Sequence, residues 1–226
     1  MKTILILISS TILLFDGYSS DVTQSIPRTI SKKLTSNLDF RLGPVIPGLQ
    51  QGFVPQGLAY SKEKDIFYLS HYSSFNSTSI VTLIDNSSNK LLATKRLKKS
   101  SNKFLSGHVG GIALNKEVII VASDGYIYKY KTSTENTFIP FEAFQTETTA
   151  TFCTYYNEIL FVGEFVYGKK YESKKSHVTI DRKGIKKYAL ICAYTKKSGN
   201  NPAFAISIPQ KVQGVAFTEN EIVLSI

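Results

Sequence analysis

The sequence lacks the patterns that mark helical folds, membrane spans and several enzyme classes. No stretch of its 226 residues shows a sustained helical period, which disfavours a helical fold. One apolar run, residues 4–15, stands out, and it is too short to cross a bilayer as a helix. There is no His-Glu-x-x-His metal signature, no Gly-x-Ser-x-Gly nucleophile elbow and no phosphate-binding loop. The sequence therefore predicts no transmembrane segment and none of these catalytic centres.

A repeat is the most informative feature that is present. The string Gln-Gly-Leu-Ala-Tyr at residues 56–60 returns as Gln-Gly-Val-Ala-Phe at 213–217, and in altered form as Gly-Gly-Ile-Ala-Leu at 110–114. A short polar turn and a β-branched run follow each copy, which is typical of a strand hairpin. Second strands are predicted at 66–72, 118–124 and 159–165, with a shorter one at 222–226.

Further apolar segments complete each unit. Third strands are predicted at 79–85, 126–132 and 188–195, and fourth strands at 91–97, 138–144 and 203–208. Four strands per unit is typical of a propeller blade. The sequence therefore predicts an all-β fold, a β-propeller of four-stranded blades, with an open sheet or a sandwich as the alternative.

The blades are predicted at residues 51–97, 107–145, 150–208 and, in part, 211–226. Their leading apolar residues, Leu58, Ile112, Phe152 and Val215, lie on average about 52 residues apart. A six-bladed ring would need roughly 310 residues at that spacing. The chain is thus expected to hold about three and a half blades of a six-bladed ring. A truncated gene model, a fragment, or an oligomer that completes the ring would each explain the ending.

Alignment of the units also assigns columns within the blades. Ser70, Ala122 and Gly163 share a column of small residues in the second strands. In the first strand of the third unit, Cys153 is expected in the column of alanines and Thr151 in the column of glycines.

The first residues have the pattern of a secretory signal peptide. Lys2 precedes the apolar run, and Gly17 and Ser19 occupy the −3 and −1 positions of a cut before Ser20. Residues 1–19 are therefore predicted to be removed, which places the protein outside the cell, or in the periplasm of a Gram-negative bacterium. An uncleaved anchor is the competing interpretation. Residues 20–50 have the composition of a linker whose apolar part could supply a ring-closing strand.

Secretion permits disulfides and glycans. Cys153 and Cys192 fall on the first and third strands of one predicted blade, two strand spacings or about 9.5 Å apart, whereas bridged Cα atoms lie within about 7 Å. Two buried free thiols are therefore expected rather than a disulfide. Asn76 and Asn86 begin glycosylation sequons that matter only in a eukaryotic source.

The formal net charge is +10, and much of the positive charge is local. Residues 165–187 hold eight basic side chains with interspersed Tyr167, Tyr171 and His177. Such a segment could contact an anionic surface, such as an acidic polysaccharide or a membrane, or it could be a solvated insertion. Nucleic acid is not an expected partner, given the secretory signal and the lack of a reader motif.

Candidate site residues follow from blade geometry, in which first strands begin and second strands end on one side of the disc, beside the channel. His71, Ser123 and Glu164 share one column at the ends of second strands, and His108 begins a first strand. Asp124 precedes Gly125 and is expected to form a turn. The predicted channel-mouth residues are His71, His108, Ser123, Glu164, Gln56 and Gln213. They could bind a divalent cation, act as acid and base on an ester or lactone, or line a polar channel that holds ordered water.

Three strings carry a resemblance to known proteins: Gly-Phe-Val-Pro-Gln-Gly-Leu-Ala-Tyr at 52–60, Tyr-Leu-Ser-His-Tyr at 68–72 and Gly-His-Val-Gly-Gly-Ile-Ala at 107–113. They resemble a group of secreted microbial β-propeller proteins of unassigned function and, more distantly, the six-bladed lactonase and strictosidine-synthase-like propellers. Since the first group has no assigned function, the channel-mouth residues themselves carry the first hypothesis, a scaffold that binds a small molecule, glycan or protein at the channel mouth without catalysis.

The second resemblance implies a metal-dependent lactonase- or esterase-like hydrolase. In that group a divalent cation such as Ca²⁺ is held by acidic and amide side chains around the channel. Only Glu164 offers such a ligand here, and His71 and Ser123 occupy the positions that would supply others. Catalytic residues are not assigned by the sequence.

Overall fold

The computed structural model describes residues 43–75, 77–132 and 135–226. The predicted signal peptide, most of the predicted linker and the Asn76 sequon lie outside these ranges. The described residues contain 18 strands and two short 3-10 helices, Leu49–Gln51 and Lys175–His177.

The strands form a series of antiparallel sheets in chain order. The first sheet contains β1 (Phe53–Ser61), β2 (Ile66–Ser73), β3 (Ile80–Asp85) and β4 (Leu91–Ser100), extended by β5 (Lys103–Phe104). The second contains β6 (Gly111–Asn115), β7 (Val118–Ser123), β8 (Tyr126–Lys131) and, after β9 (Thr137–Phe138), β10 (Glu142–Gln145). The third contains β11 (Phe152–Tyr156), β12 (Ile159–Gly163), β15 (Ala189–Tyr194) and β16 (Phe204–Ile208).

Two hairpins complete the described strands. One joins β13 (Thr179–Ile180) to β14 (Lys186–Lys187) within the basic segment, between the second and third strands of the third sheet. The other joins β17 (Gly214–Phe217) to β18 (Ile222–Ser225).

Successive sheets stack through their faces, with their first strands side by side. β1 contacts β6, β6 contacts β11, and β11 contacts β17. A separate apolar cluster fills each interface, represented by Tyr68, Ile112 and Tyr130 between the first and second sheets. Ala113, Cys153 and Tyr194 belong to the next cluster, and Phe152, Ile191 and Val215 to the one after it. This arrangement of four-stranded blades confirms the predicted all-β propeller class.

The column assignment in the third unit was wrong by one residue. Gly57, Gly111 and Gly214 lie opposite the small residues of the second strands, but the residue opposite Gly163 is Phe152. Phe152 therefore occupies the glycine column, and Cys153 the apolar column of Leu58 and Ile112. The sequence pattern failed here because the small residue has moved to the other strand. A Cβ at Gly163 would collide with the Phe152 ring.

The predicted fourth strand at 138–144 was also wrong at its start. Thr137 and Phe138 pair in parallel with Arg96 and Leu97 of β4, so this segment extends the first sheet. Phe138 packs in the first interface with its ring 6.0 Å from that of Tyr130. Pro140, which has no N–H to donate, separates this segment from β10.

The expectation of two buried free thiols is confirmed. Cys153 and Cys192 both lie opposite Val162, one on each neighbouring strand, so a full strand separates them. Burial raises the pKa of Cys153 to about 12 and that of Cys192 to about 11. Both thiols are therefore protonated and unreactive at neutral pH.

Candidate functional site

The ends of β2, β7 and β12 lie on the side of the sheets where β1, β6 and β11 begin. We call this side the channel-mouth face. A cavity of about 250 Å³ lies between the four first strands and is lined by residues such as Leu58, Ile112, Thr154 and Ala216. The loops after β2, β7 and β12, including the basic segment, leave from the channel-mouth face.

His71, at the end of β2, is fully buried. Its Nε2 lies 2.8 Å from the Thr82 hydroxyl oxygen, and its Nδ1 has no hydrogen-bond partner in the part of the chain that the structure describes. Burial lowers the pKa of His71 to about 4, because the surrounding protein disfavours the charged form. The imidazole is therefore neutral at pH 7 and closed off from a bulky ligand.

His108, in the loop before β6, is exposed. Its ring lies over that of Tyr72, with the ring centroids 4.4 Å apart. The preceding Gly107 accepts a hydrogen bond from the Ser79 hydroxyl at 2.9 Å, which ties this loop to the first sheet. The structure thus presents His108 as an accessible imidazole on an aromatic support.

Ser123 ends β7 and is fully buried. Its hydroxyl donates to the Asp124 carboxylate at 3.1 Å. Asp124 and Gly125 have φ values of 49° and 79°, as a two-residue hairpin turn requires, so Asp124 forms the turn that its sequence position predicts. A Cβ at Gly107 would collide with the Asp124 carboxylate, so the loop that carries His108 passes directly over this turn.

Glu164, immediately after β12, is the best-buried acidic side chain of the candidate site at 1% exposure. Its Oε1 accepts hydrogen bonds from His177 Nδ1 at 2.9 Å and from the Leu190 amide at 3.1 Å. His177 is itself buried, and its Nε2 lies 3.1 Å from Oε1 of Glu147. Lys174 Nζ lies 2.7 Å from the same Glu147 oxygen.

These side chains form a continuous series of polar contacts that we call the His177 bridge: Glu164, His177, Glu147 and Lys174. Each imidazole nitrogen faces a carboxylate oxygen, and an ionised carboxylate can only accept. Both bonds therefore form together when the ring carries both protons. Lys174 first, and His177 second, hold the pKa of Glu147 below its usual range. The bridge ties the basic segment to the loop after β10.

From its sequence position, His177 was expected only as one of the side chains of the basic segment. One sequence signal could have identified His177 as a partner of Glu164. The loop that begins directly after Glu164, at the end of its strand, contains this histidine. Its second partner, Glu147, lies 30 residues away and in another sheet's loop, so no spacing rule points to it.

Gln56 and Gln213 both have exposed side chains. Gln56 Nε2 donates to the Pro55 carbonyl at 3.0 Å, and the backbone N–H of Gln213 donates to the Ser225 carbonyl at 2.8 Å. Among the described residues, no hydrogen bond or ring contact joins two of the six predicted site residues. The structure places them on one face but engages each with its own local partners.

The donor set does not fit the divalent cation that the lactonase resemblance implies. Both Glu164 oxygens face the His177 imidazole, and the His71 and Ser123 side chains are bonded to Thr82 and Asp124. Residues 43–75, 77–132 and 135–226 contain no group of three or more His, Cys, Asp or Glu side chains placed to hold a metal ion.

Two further sequence predictions concern the surface. Asn86 is half-buried, and its side-chain amide donates to Asp65 at 2.7 Å. Within the described ranges, no helix is long and apolar enough to cross a membrane.

No protein-family model matches the chain, and no curated protein matches it. Among solved structures, it is similar to Kuenenia stuttgartiensis hydrazine synthase (9% identity over 75% of this chain and 41% of that chain, TM-score 0.46). It is also similar to the Dos1 propeller (11% identity, 80% and 54%, TM-score 0.43) and to the Myceliophteria thermophila Cps50 (Swd1) β-propeller domain (10% identity, 85% and 52%, TM-score 0.40). This chain spans about half the length of these structures or less.

Proposed function

We propose that the protein is a secreted binding scaffold that takes a small molecule, glycan or protein at the channel-mouth face, without catalysis. The observation that carries this proposal is the division between buried and exposed polar side chains on that face. His71, Ser123, Glu164 and His177 are buried and bonded within the protein. Groups held in this way cannot reach a substrate.

The side chains that remain accessible are suited to recognition. His108 offers an imidazole edge on the Tyr72 ring, and Gln56 and Gln213 offer amide donors and acceptors. Aromatic rings and amide groups are both common in the lining of sites for sugars and planar ligands.

A panel of soluble glycans and small metabolites, screened by thermal shift against the full chain, tests this proposal. A ligand that raises the melting temperature of the wild-type protein is expected to lose at least tenfold in affinity in His108→Ala, since one aromatic or hydrogen-bonding contact contributes roughly 1.4 kcal/mol. Lys196→Ala, an exposed change in the turn between β15 and β16, is the matched control. Equal affinity in the His108→Ala and Lys196→Ala variants would move the ligand site away from the channel mouth.

The hydrolase interpretation makes the opposite prediction. Metal-dependent turnover of an aryl ester or a lactone, lost in His71→Ala/Glu164→Ala and on chelation, would replace the scaffold proposal. A thermal-shift series with Ca²⁺, Mg²⁺ and Zn²⁺, each with and without chelator, is the inexpensive first step. We expect the melting temperature to stay the same on addition of each metal. A metal-dependent rise that disappears in His71→Ala/Glu164→Ala would support the hydrolase instead.

Secretion has its own test. Expression of the full chain in a secreting host and N-terminal sequencing of the product are expected to give a mature protein that begins at Ser20. Protein that is found in the membrane fraction and still begins at Met1 would favour the uncleaved anchor instead.

A further inference from the structure

We propose that the hairpin formed by residues 178–187 is a docking element for an anionic lipid membrane surface. This inference goes beyond the ligand site at the channel mouth, because it concerns a different surface and a different partner. It is argued from exposed aliphatic side chains, from the cations that surround them, and from the contacts that hold the hairpin in place.

The hairpin exposes three aliphatic side chains to solvent. Ile180 is 65% exposed, Ile185 is 51% exposed and Val178 is 37% exposed. Ile180 and Ile185 flank the turn between β13 and β14, so both lie near the tip. Three exposed aliphatic residues in ten is a concentration typical of an interaction surface.

Cations surround this apolar tip. Arg182, Lys183 and Lys186 are exposed and have no ion-pair partner among the described residues. Asp181 is the only acidic residue of the hairpin, and its carboxylate accepts the Lys183 and Ile185 amides at 2.9 Å each. That acid is therefore committed to the turn, with Lys187 Nζ at 3.8 Å. Aliphatic side chains ringed by cations have the chemistry of segments that lie in an anionic membrane interface.

The base of the hairpin is fixed, which presents the tip in one orientation. His177, directly before it, is held between Glu164 and Glu147 by the His177 bridge. The Thr179 hydroxyl donates to the Ser207 hydroxyl at 2.8 Å and ties the hairpin to β16. Gly184 has φ 78°, which the tight turn requires. A pre-organised tip loses little conformational entropy on binding.

A membrane fits these observations better than an acidic polymer does. A polysaccharide or nucleic acid is recognised by charge and ring stacking, and neither needs exposed isoleucine. The aromatic rings next to the hairpin are already covered by cations, with Lys211 Nζ 4.7 Å from the Tyr167 ring and Lys170 Nζ 5.2 Å from the Tyr171 ring. Of these anionic partners, only a membrane makes use of an aliphatic tip.

Co-sedimentation of the full chain with phosphatidylcholine vesicles, with and without phosphatidylserine, tests the proposal. Wild-type protein is expected to partition onto the anionic vesicles and much less onto the neutral ones. Lys183→Gln/Lys186→Gln is expected to lower the partition coefficient about 30-fold, since each cation near an anionic surface contributes roughly fivefold. Ile180→Ser/Ile185→Ser keeps every charge and is expected to lose about tenfold through reduced apolar burial.

Ile139→Ser is the matched control, because Ile139 is also exposed, at 53%, but lies in the segment between β9 and β10. It should bind like wild type. A parallel heparin-binding measurement separates a polymer from a membrane, since the isoleucine pair should leave heparin binding unchanged. Vesicle binding by Ile180→Ser/Ile185→Ser equal to wild type, or no preference of wild-type protein for the anionic vesicles, would overturn the proposal. His108→Ala should retain vesicle binding, so failure here is distinct from failure of the ligand site.

Discussion

The first and third sheets differ at two neighbouring positions near the end of the second strand, which are Ser70 and His71 in the first sheet and Gly163 and Glu164 in the third. In the first sheet Gly57 lies opposite Ser70, whose hydroxyl oxygen accepts the Gly57 amide at 3.1 Å and donates to the Val109 carbonyl at 2.8 Å. In the third sheet Phe152 lies opposite Gly163, and the ring fills the space that Gly163 leaves. The first arrangement joins neighbouring blades by backbone approach and a hydroxyl, whereas the second joins them by an aromatic side chain.

The following position differs just as clearly. His71 follows Ser70 and is kept neutral by its surroundings, with one ring nitrogen bonded to Thr82. Glu164 follows Gly163 and is bonded to the His177 imidazole, which links two loops. A strand end at the channel mouth can therefore be closed with a neutral ring or with a hydrogen-bonded Glu–His pair. The long basic segment follows the strand end that carries this pair.

The largest expected effect comes from removing His177 from its buried pair with Glu164. His177→Leu leaves Glu164 buried with the Leu190 amide as its remaining donor, and removing one partner of a buried pair typically costs about 3–5 kcal/mol. The midpoint of urea unfolding should fall accordingly. Lys174→Ala removes only the exposed end of the His177 bridge and should cost less than about 1 kcal/mol. Similar losses in the two variants would mean that the bridge is not stabilised by its buried half.

The neutral imidazole of His71 should make the free energy of unfolding depend on pH in the acid range. The pKa of His71 is lowered from 6.5 to about 4, so between these pH values the unfolded chain binds a proton that the folded protein does not. The stability that the neutral His71 contributes to the folded protein is therefore complete above about pH 6.5. As the pH falls toward 4, the free energy of unfolding decreases by about 3 kcal/mol from this group.

The matched variant for this measurement is His71→Leu/Thr82→Val, which replaces both hydrogen-bonding partners by apolar groups. The free energy of unfolding, measured by urea titration from pH 4 to pH 7, should fall about 3 kcal/mol less in the variant than in the wild-type protein. Parallel curves for the two proteins would show that His71 titrates normally.

The exchange of Gly for Phe in the third sheet predicts a coupled pair. Gly163→Ala places a methyl group against the Phe152 ring and should cost about 2 kcal/mol through overpacking. In the Phe152→Leu background the same change should cost less than half as much, because the ring is gone. A double-mutant cycle of unfolding free energies measures the difference. If the two substitutions change the unfolding free energy additively, the added methyl group does not collide with the Phe152 ring.

The smallest effect is expected from the two thiols of the third sheet. Both are buried and have raised pKa values, so a thiol reagent should label them only as fast as the protein unfolds. Addition of a reductant should leave the urea midpoint unchanged. A midpoint that falls on reduction would show that the thiols form a disulfide after all.

Much of the fold could be predicted because its determinants are local. The second strands were predicted at 66–72 and 118–124 from β-branched runs, and they form at Ile66–Ser73 and Val118–Ser123. Asp124 was predicted to form a turn from its neighbour Gly125 alone. Errors arose where a long-range contact decided the outcome, as at Phe138, whose pairing partner lies in another sheet.

The candidate site was less predictable for the same reason. Residues at strand ends were placed on one face because strand direction fixes that face. Their accessibility was decided by partners that lie on other segments: Thr82 for His71, and His177 for Glu164. His108 is exposed, in a loop that passes over the neighbouring turn.

The sequence by itself determined the four-stranded repeat, the face on which the strand ends lie and the free state of the two cysteines. Each depends on alternation, turn residues or strand spacing, which act over a few residues. The tertiary structure alone decided that Phe152 replaces a glycine, that His177 bridges two acidic residues and that the basic segment folds into a hairpin with an aliphatic tip. These features depend on the distances between segments far apart in the chain, which packing sets and local preference does not.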